Sequence, residues 1–318
     1  MKKKWILAVL FGAVFSAVFL SACARTNTGI INVHEHLESE ASAERLLMAN
    51  KEFGVTKTIL LGTPSETLKF DGSEGFSGYD ENNAVILKVA EKYPDDFLAF
   101  CTIYWQDTDK LAKLKDCVAH GAKGLKLYNG HGFFHTMALD DFKMEEIYDY
   151  LEEKSLPVLF HVNGGKYLTE FENVLNSHPN MKVICPHFCL LSGNFNGMES
   201  FLDDHPNVYF DISFGYVDYM KEGFERFNKD IESYRNFFIK YQDRLLFGTD
   251  TVVTDVDFKD EAWLNQLFGF YKDWLEEKNF TFSIAKPHKI DFEVKGLHLP
   301  KEVLDKIYHQ NAEEFLGL

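Results

Sequence analysis

Eight short apolar, β-branched runs recur along this chain, beginning near Ile30, Lys57, Phe97, Gly124, Val158, Lys182, Val208 and Leu245. Successive starts lie 24 to 40 residues apart, the length that one strand, one helix and two loops need. Between them run stretches with apolar residues at i, i+3 and i+4, the stripe of a helix packed on a core. These are Ala43–Phe53, Glu81–Tyr93, Lys110–His120, Asp141–Lys154, Tyr167–Ser177, Met198–His205 and a long, Phe-rich Asp218–Tyr241. Joints such as Phe53-Gly54-Val55 and His205-Pro206-Asn207 carry helix-stop or turn chemistry just before a strand.

Strict alternation of strand and helix gives an α/β fold with a parallel sheet. An open, doubly wound sheet would more often place a Gly-rich phosphate loop after its first strand, and none stands there. The pattern therefore predicts a (β/α)8 barrel over residues 30–318, with an extra C-terminal helix over Pro300–Leu316. A helix over Glu261–Lys278 follows the eighth strand. The segment from Asn279 to Leu299 is not needed to close a barrel, and reads equally well as a cover or a small hairpin.

Barrel chemistry sits at the C-terminal ends of the strands. Strand one ends in His34-Glu35-His36, and residues two apart on a strand share a face, so both imidazoles project the same way. Lys126 stands near the top of strand four, His161 near the end of strand five, and His187 just after strand six. Strand eight ends in Gly248-Thr249-Asp250. A single His at a strand end is usually a hydrogen-bonded core residue, but a set of them on one face of one barrel points to a metal. Glu35 faces away from its neighbours and reads as a supporting carboxylate. Asp211, at the top of strand seven, reads equally as a group orienting a ligand His or as a cap before Ser213.

These residues resemble the amidohydrolase superfamily, in particular its amidohydrolase-related (amidohydrolase 2) branch. The likeness is carried by His34-x-His36, by Gly121-Ala-Lys-Gly-Leu-Lys-Leu127, by His161 and His187, and by Gly248-Thr249-Asp250. The tail from Ile307 to Leu316 adds to it, and it spans residues 30–318. The resemblance implies that His34, His36, His161 and Asp250 bind one divalent ion, Zn²⁺ with Mn²⁺ as the alternative. It implies catalytic roles for Asp250, accepting a proton from water, and for His187, donating to the oxyanion or leaving group. Lys126 and His187 are the candidates for a second metal or for substrate; for Lys126 a plain salt bridge is the bland alternative. His131 and His135, in the loop above strand four, are candidates for substrate contact.

The activity so implied is metal-dependent hydrolysis of a C–O or C–N bond in a small molecule such as a lactone, ester or amide. The same branch contains decarboxylases, which need a cation for the substrate carboxylate; Lys126, Arg45 and Lys166 are the candidates here. A non-catalytic binding protein is the third reading, and the presence of every expected ligand argues against it. The substrate itself is set by loops and is not legible. The resemblance also makes a homodimer the candidate assembly.

Residues 1–22 belong to another regime. Lys2-Lys3-Lys4 precedes an apolar run from Trp5 to Leu20, closed by Leu20-Ser21-Ala22-Cys23. That ending resembles the lipobox of bacterial lipoproteins, which implies cleavage before Cys23, a lipid on its sulfur and a cell-membrane tether on the extracytoplasmic side. Residues 23–29 are then all the linker there is. The formal charge is −16, and loss of the three leading lysines leaves 30 basic residues against 49 acidic ones. A phosphate backbone would be repelled, which excludes nucleic acid as a partner. Of the remaining cysteines, Cys185 and Cys189 bracket His187; Cys185 reads as a buried strand residue. Export permits disulfides, although a core of this size does not require them.

Overall fold

A computed structural model describes residues 29–70 and 72–318; the signal-like segment, Cys23 and the linker up to residue 28 lie outside the described residues. Eight parallel strands in sequence order form the barrel: β1 (Ile30–His36), β2 (Val55–Leu61), β3 (Phe97–Thr102), β4 (Gly124–Gly130), β5 (Val158–Val162), β6 (Val183–Cys185), β7 (Val208–Asp211) and β8 (Leu245–Leu246). β8 is short, so the chain beyond it completes the seam. Val33 N donates to Phe247 O, Asp250 N to His34 O, and Val253 N to His36 O. The fold is the expected (β/α)8 barrel.

The helices are α1 (Glu40–Phe53), a short α2 (Ser65–Lys69), α3 (Tyr79–Lys92), α4 (Lys110–Ala119), α5 (Glu145–Glu153), α6 (Gly164–Ser177), α7 (Phe195–Asp204), α8 (Val217–Lys229), α9 (Ile231–Lys240) and α10 (Glu261–Glu276). The long helix expected over Asp218–Tyr241 is two. The chain leaves helical geometry at Asp230, whose side chain accepts from Ser233 N and starts α9 afresh. The segment after α10 is a hairpin of β9 (Asn279–Ile284) and β10 (Ile290–Lys295), packed against α8 and α10. The C-terminal helix comprises α11 (Lys301–Asp305), a π-turn over Lys306–Gln310 and α12 (Asn311–Leu316).

Two cores follow from strand alternation. Ile31, Val33, Ile59, Leu61, Phe100, Leu159, Ile184 and Leu246 fill the barrel interior, and Ala312 and Phe315 of α12 join them from below. Alternate residues such as Leu60, Leu125, Leu127 and Phe160 face the helices in a second, larger cluster. At Gly124 a Cβ would lie 2.5 Å from the Phe100 ring, so only glycine leaves room for that side chain inside the barrel.

The register of β1 matters most for what lies above the core. Asn32 pairs with Thr58 and Glu35 with Leu60, three steps on one strand against two on the other. This bulge turns His34 to the same side as Val33, so that His34 and His36 both crown the interior. All four cysteines in the described residues are paired: Cys101 with Cys117, and Cys185 with Cys189. Cys185 is buried on its strand as expected, but it is bonded rather than free. No helix among the described residues is long and apolar enough to cross a membrane.

Candidate metal centre

His34, His36 and Asp250 converge at the top of the barrel. His34 Nε2 lies 3.2 Å from His36 Nε2, and Asp250 Oδ1 stands 3.4 Å from the first and 3.1 Å from the second. The hydrogen-bond inventory fixes the tautomers. His34 Nδ1 donates to the Asp211 carboxylate at 2.7 Å. The Thr63 hydroxyl donates to Leu61 O, so it accepts from His36 Nδ1 at 2.7 Å. Both Nε2 atoms are thus bare lone pairs. Facing them, Asp250 Oδ1 is buried and has no hydrogen-bond donor.

Two lone pairs and an unpaired carboxylate oxygen aimed at one point repel unless a cation sits between them. A tetrahedral zinc with ligands at about 2.0–2.2 Å separates its ligand atoms by about 3.3 Å, which the three observed separations match. The donor set therefore fits a divalent ion. Burial favours it further, because it pushes the His36 pKa down to about 4 and keeps the ring neutral. Burial alone would raise the Asp250 carboxyl, but His34, His36 and His187 more than reverse that and hold it well below the usual carboxylate range.

Supporting groups fix each ligand. Asp211 is fully buried and accepts from His34 Nδ1, from the backbone N–H of His187 and from Ser213, so it ties a ring on β1 to the turn after β6. Glu35 fixes the segment after β8: its carboxylate accepts from Thr249 and Thr251 hydroxyls and from Val252 N. Asp250 and Val252 have φ of 51° and 50°, so this clamp holds a segment that L-residues rarely adopt. Gly215, at φ 72°, passes so near that a Cβ there would lie 2.5 Å from Asp250 Oδ2.

His187 sits beside this group. Its Nδ1 donates to Ser213 O at 3.0 Å, leaving a bare Nε2 that faces Asp250 Oδ2 at 3.4 Å. The turn that presents it is unusual: His187, Phe188, Cys189 and Leu190 have φ between 53° and 57°. Left-handed L-residues cost roughly 1–2 kcal/mol each, and none of the four is glycine.

His161 is not brought into the tight trio. Its ring lies 5.0 Å from that of His187 and 4.4 Å from that of His131, on the wall of the same cavity. His131 is thereby placed at the site, with its pKa pushed down to about 4 by burial. His135 is not: it pairs with Glu170 at 2.8 Å and stacks on Tyr167, away from the cavity lining. Lys126 is buried inside the barrel, its Nζ 4.7 Å from the Tyr128 ring, and burial lowers its pKa to about 8. The salt bridge considered for it is not formed with any described residue.

The cavity above these groups has a volume of about 730 Å³. Cationic side chains Lys166, Arg226 and Lys259 reach its wall, whereas Arg45 is spent on backbone oxygens of Thr254 and Lys259. Lys259 donates to Val252 O and is lowered to about 8 by burial. Thr63, Ser213, Arg226 and Lys259 were not singled out from sequence. Thr63 and Ser213 carry one signal, a place two residues past the ends of β2 and β7.

A family model described as amidohydrolase matches residues 67–318. The chain belongs to the amidohydrolase family. Among curated proteins none matches it. Solved structures do. A probable 2-pyrone-4,6-dicarboxylic acid hydrolase from Acinetobacter baumannii is 16% identical with a TM-score of 0.59, over 91% of this chain and 100% of that one. A 4-oxalomesaconate hydratase from Rhodopseudomonas palustris is 16% identical at 0.56, over 91% and 95%. A 2,6-dihydroxybenzoate decarboxylase from Rhizobium is 14% identical at 0.55, over 91% and 98%. At such identities they share the barrel, and their reactions remain theirs. Family membership supports an enzyme, and amidohydrolases are typically metal-dependent.

Proposed function

We propose that this amidohydrolase is a metal-dependent hydrolase of a small-molecule C–O or C–N bond, in a lactone, ester or amide. The observation that carries the reading is the pair of bare Nε2 atoms of His34 and His36 facing the donorless Asp250 Oδ1. His34, His36 and Asp250 would hold the ion, with His161 from the cavity wall as the further ligand. Zinc suits three imidazoles and a carboxylate best, and manganese is the alternative. Such an ion acidifies water and polarises a carbonyl oxygen.

The chain's own groups divide the remaining work. Asp250 turns Oδ1 to the histidine pair and Oδ2 to His187. A proton taken from the attacking water at Oδ2 has a bare acceptor 3.4 Å away in His187 Nε2. His187 lines the cavity and can return that proton to the leaving group. His131, beside His161, is placed to touch substrate; Lys126 lies beneath and tunes charge.

One observation favours a second reading, decarboxylation: Lys166, Arg226 and Lys259 on the cavity wall could hold a carboxylate. Incubating metal-loaded protein with lactones, esters and cyclic amides, and separately with aromatic and unsaturated carboxylic acids, decides between them. Hydrolysis without carbon dioxide release supports the first reading; carbon dioxide release supports the second; neither, at full metal occupancy, leaves a binding protein.

We also propose a lipid anchor at Cys23 on the extracytoplasmic side of the cell membrane. Two disulfides suit an oxidising compartment. The tether would enter at Ile30, the end of the barrel opposite the cavity. Palmitate labelling that is lost in Cys23→Ser tests it.

A further inference from the structure

The segment from Cys185 to Leu191 presents His187 through four consecutive left-handed residues, a conformation the local sequence does not favour. Something must over-determine it. Three contacts do. The buried Phe188 ring is sunk among Phe210, Phe214, Phe227 and Phe238. The backbone closes on itself where Cys189 N donates to Pro186 O and Leu191 N to Phe188 O. The third is covalent: Cys185, the last residue of β6, is bonded to Cys189, with Cα atoms 5.0 Å apart. That bond ties the far end of the turn to the rigid strand and encloses His187 within its loop.

We infer that the Cys185–Cys189 disulfide is a clasp that positions His187 for catalysis, and that full activity requires it to be oxidised. This rests on the hydrolase reading for the role of His187, though not for the geometry of the turn. Both sulfurs belong to fully buried residues, so the clasp is set during folding and not toggled afterwards. Reduction by an added dithiol would give two buried thiols and the oxidised reductant. The turn would then be held by Phe188, its two closing hydrogen bonds and the bonds of His187 to Asp211 and Ser213, and the approach of His187 Nε2 to Asp250 Oδ2 would loosen.

The second disulfide supplies the control. Cys101–Cys117 joins β3 to α4 and touches no residue of the site. The experiment compares full-length protein with Cys185→Ala/Cys189→Ala and with Cys101→Ala/Cys117→Ala. Misplacing a catalytic group by an ångström can cost about a hundredfold in rate, so the clasp variant is expected to lose at least tenfold in kcat with KM little changed. Peptides covering residues 185–192 should exchange amide hydrogen faster in the clasp variant and at the native rate in the control. Both variants should lose thermal stability. Equal kcat in the clasp variant and the control, or native exchange of the 185–192 segment without the disulfide, overturns the inference. Should the native protein turn over no hydrolase substrate, the exchange comparison still decides whether the disulfide holds the turn.

Discussion

His34 Nε2 and His36 Nε2 lie 3.2 Å apart, and neither can donate to the other because both rings have committed their Nδ1 hydrogens, to Asp211 and Thr63. Two imidazole nitrogens in a dry site do not adopt that contact for their own benefit. The arrangement makes sense as a donor set, and its second layer is as specific as the first.

Thr63 is the most exposed to test. Thr63→Val keeps the shape and removes the acceptor for His36 Nδ1, freeing that ring to flip or change tautomer. Metal affinity should fall about 10- to 100-fold while far-UV circular dichroism is unchanged. Chelator competition measures it; native affinity would mean that Thr63 does not orient the ring.

Glu35 should matter for stability more than for binding. Glu35→Ala leaves two buried hydroxyls and the Val252 N–H without an acceptor. The expected loss is about 3 kcal/mol or more, read as a lower denaturant midpoint, and Glu35→Gln should recover part of it. A midpoint within error of native would show that the segment after β8 is held by other means.

Much of this was legible in the sequence, and the reasons for the rest are physical. His34, His36 and Asp250 could be marked because they fall at strand ends on one barrel face, and the family resemblance named them as ligands. His161 could be placed on that face but not at a distance, since the cavity's width depends on packing. His131 and His135 sit four residues apart in one loop and look alike on paper; only the partners Glu170 and Tyr167 separate them. Ser213 and Thr63 are ordinary hydroxyl residues until a ring lies beside them. The left-handed run at His187 was invisible because nothing in Pro-His-Phe-Cys-Leu announces positive φ.

Gly215→Ala should impair the site without unfolding the barrel. The added methyl lies 2.5 Å from Asp250 Oδ2, at a φ of 72° that disfavours alanine anyway. A kcat at least tenfold lower is expected from displacing Asp250, with a melting temperature a few degrees down. A variant as active as native would show that Asp250 tolerates movement.

Acid should destabilise the metal-stripped protein well above the carboxylate range. Burial lowers His36 and His131 from 6.5 to about 4, and lowers His161 and His187 as well. Between pH 6.5 and 4 the unfolded chain binds more protons than the folded one, so stability falls as pH falls. Asp211 and Asp250, held below 3.8, lose their contribution only in stronger acid. Melting temperature should drop by about 5 °C or more between pH 7 and 4.5. A flat profile across that window would mean that these rings are not buried neutral.

The central claim is that His34, His36 and Asp250 hold a cation, and metal stoichiometry tests it most directly. Protein stripped with chelator and titrated with zinc or manganese should take up one equivalent. His36→Ala and Asp250→Asn should abolish tight uptake, and His161→Ala should weaken it. Native protein that binds no ion, or His36→Ala and Asp250→Asn variants that bind as tightly as native, would contradict the account.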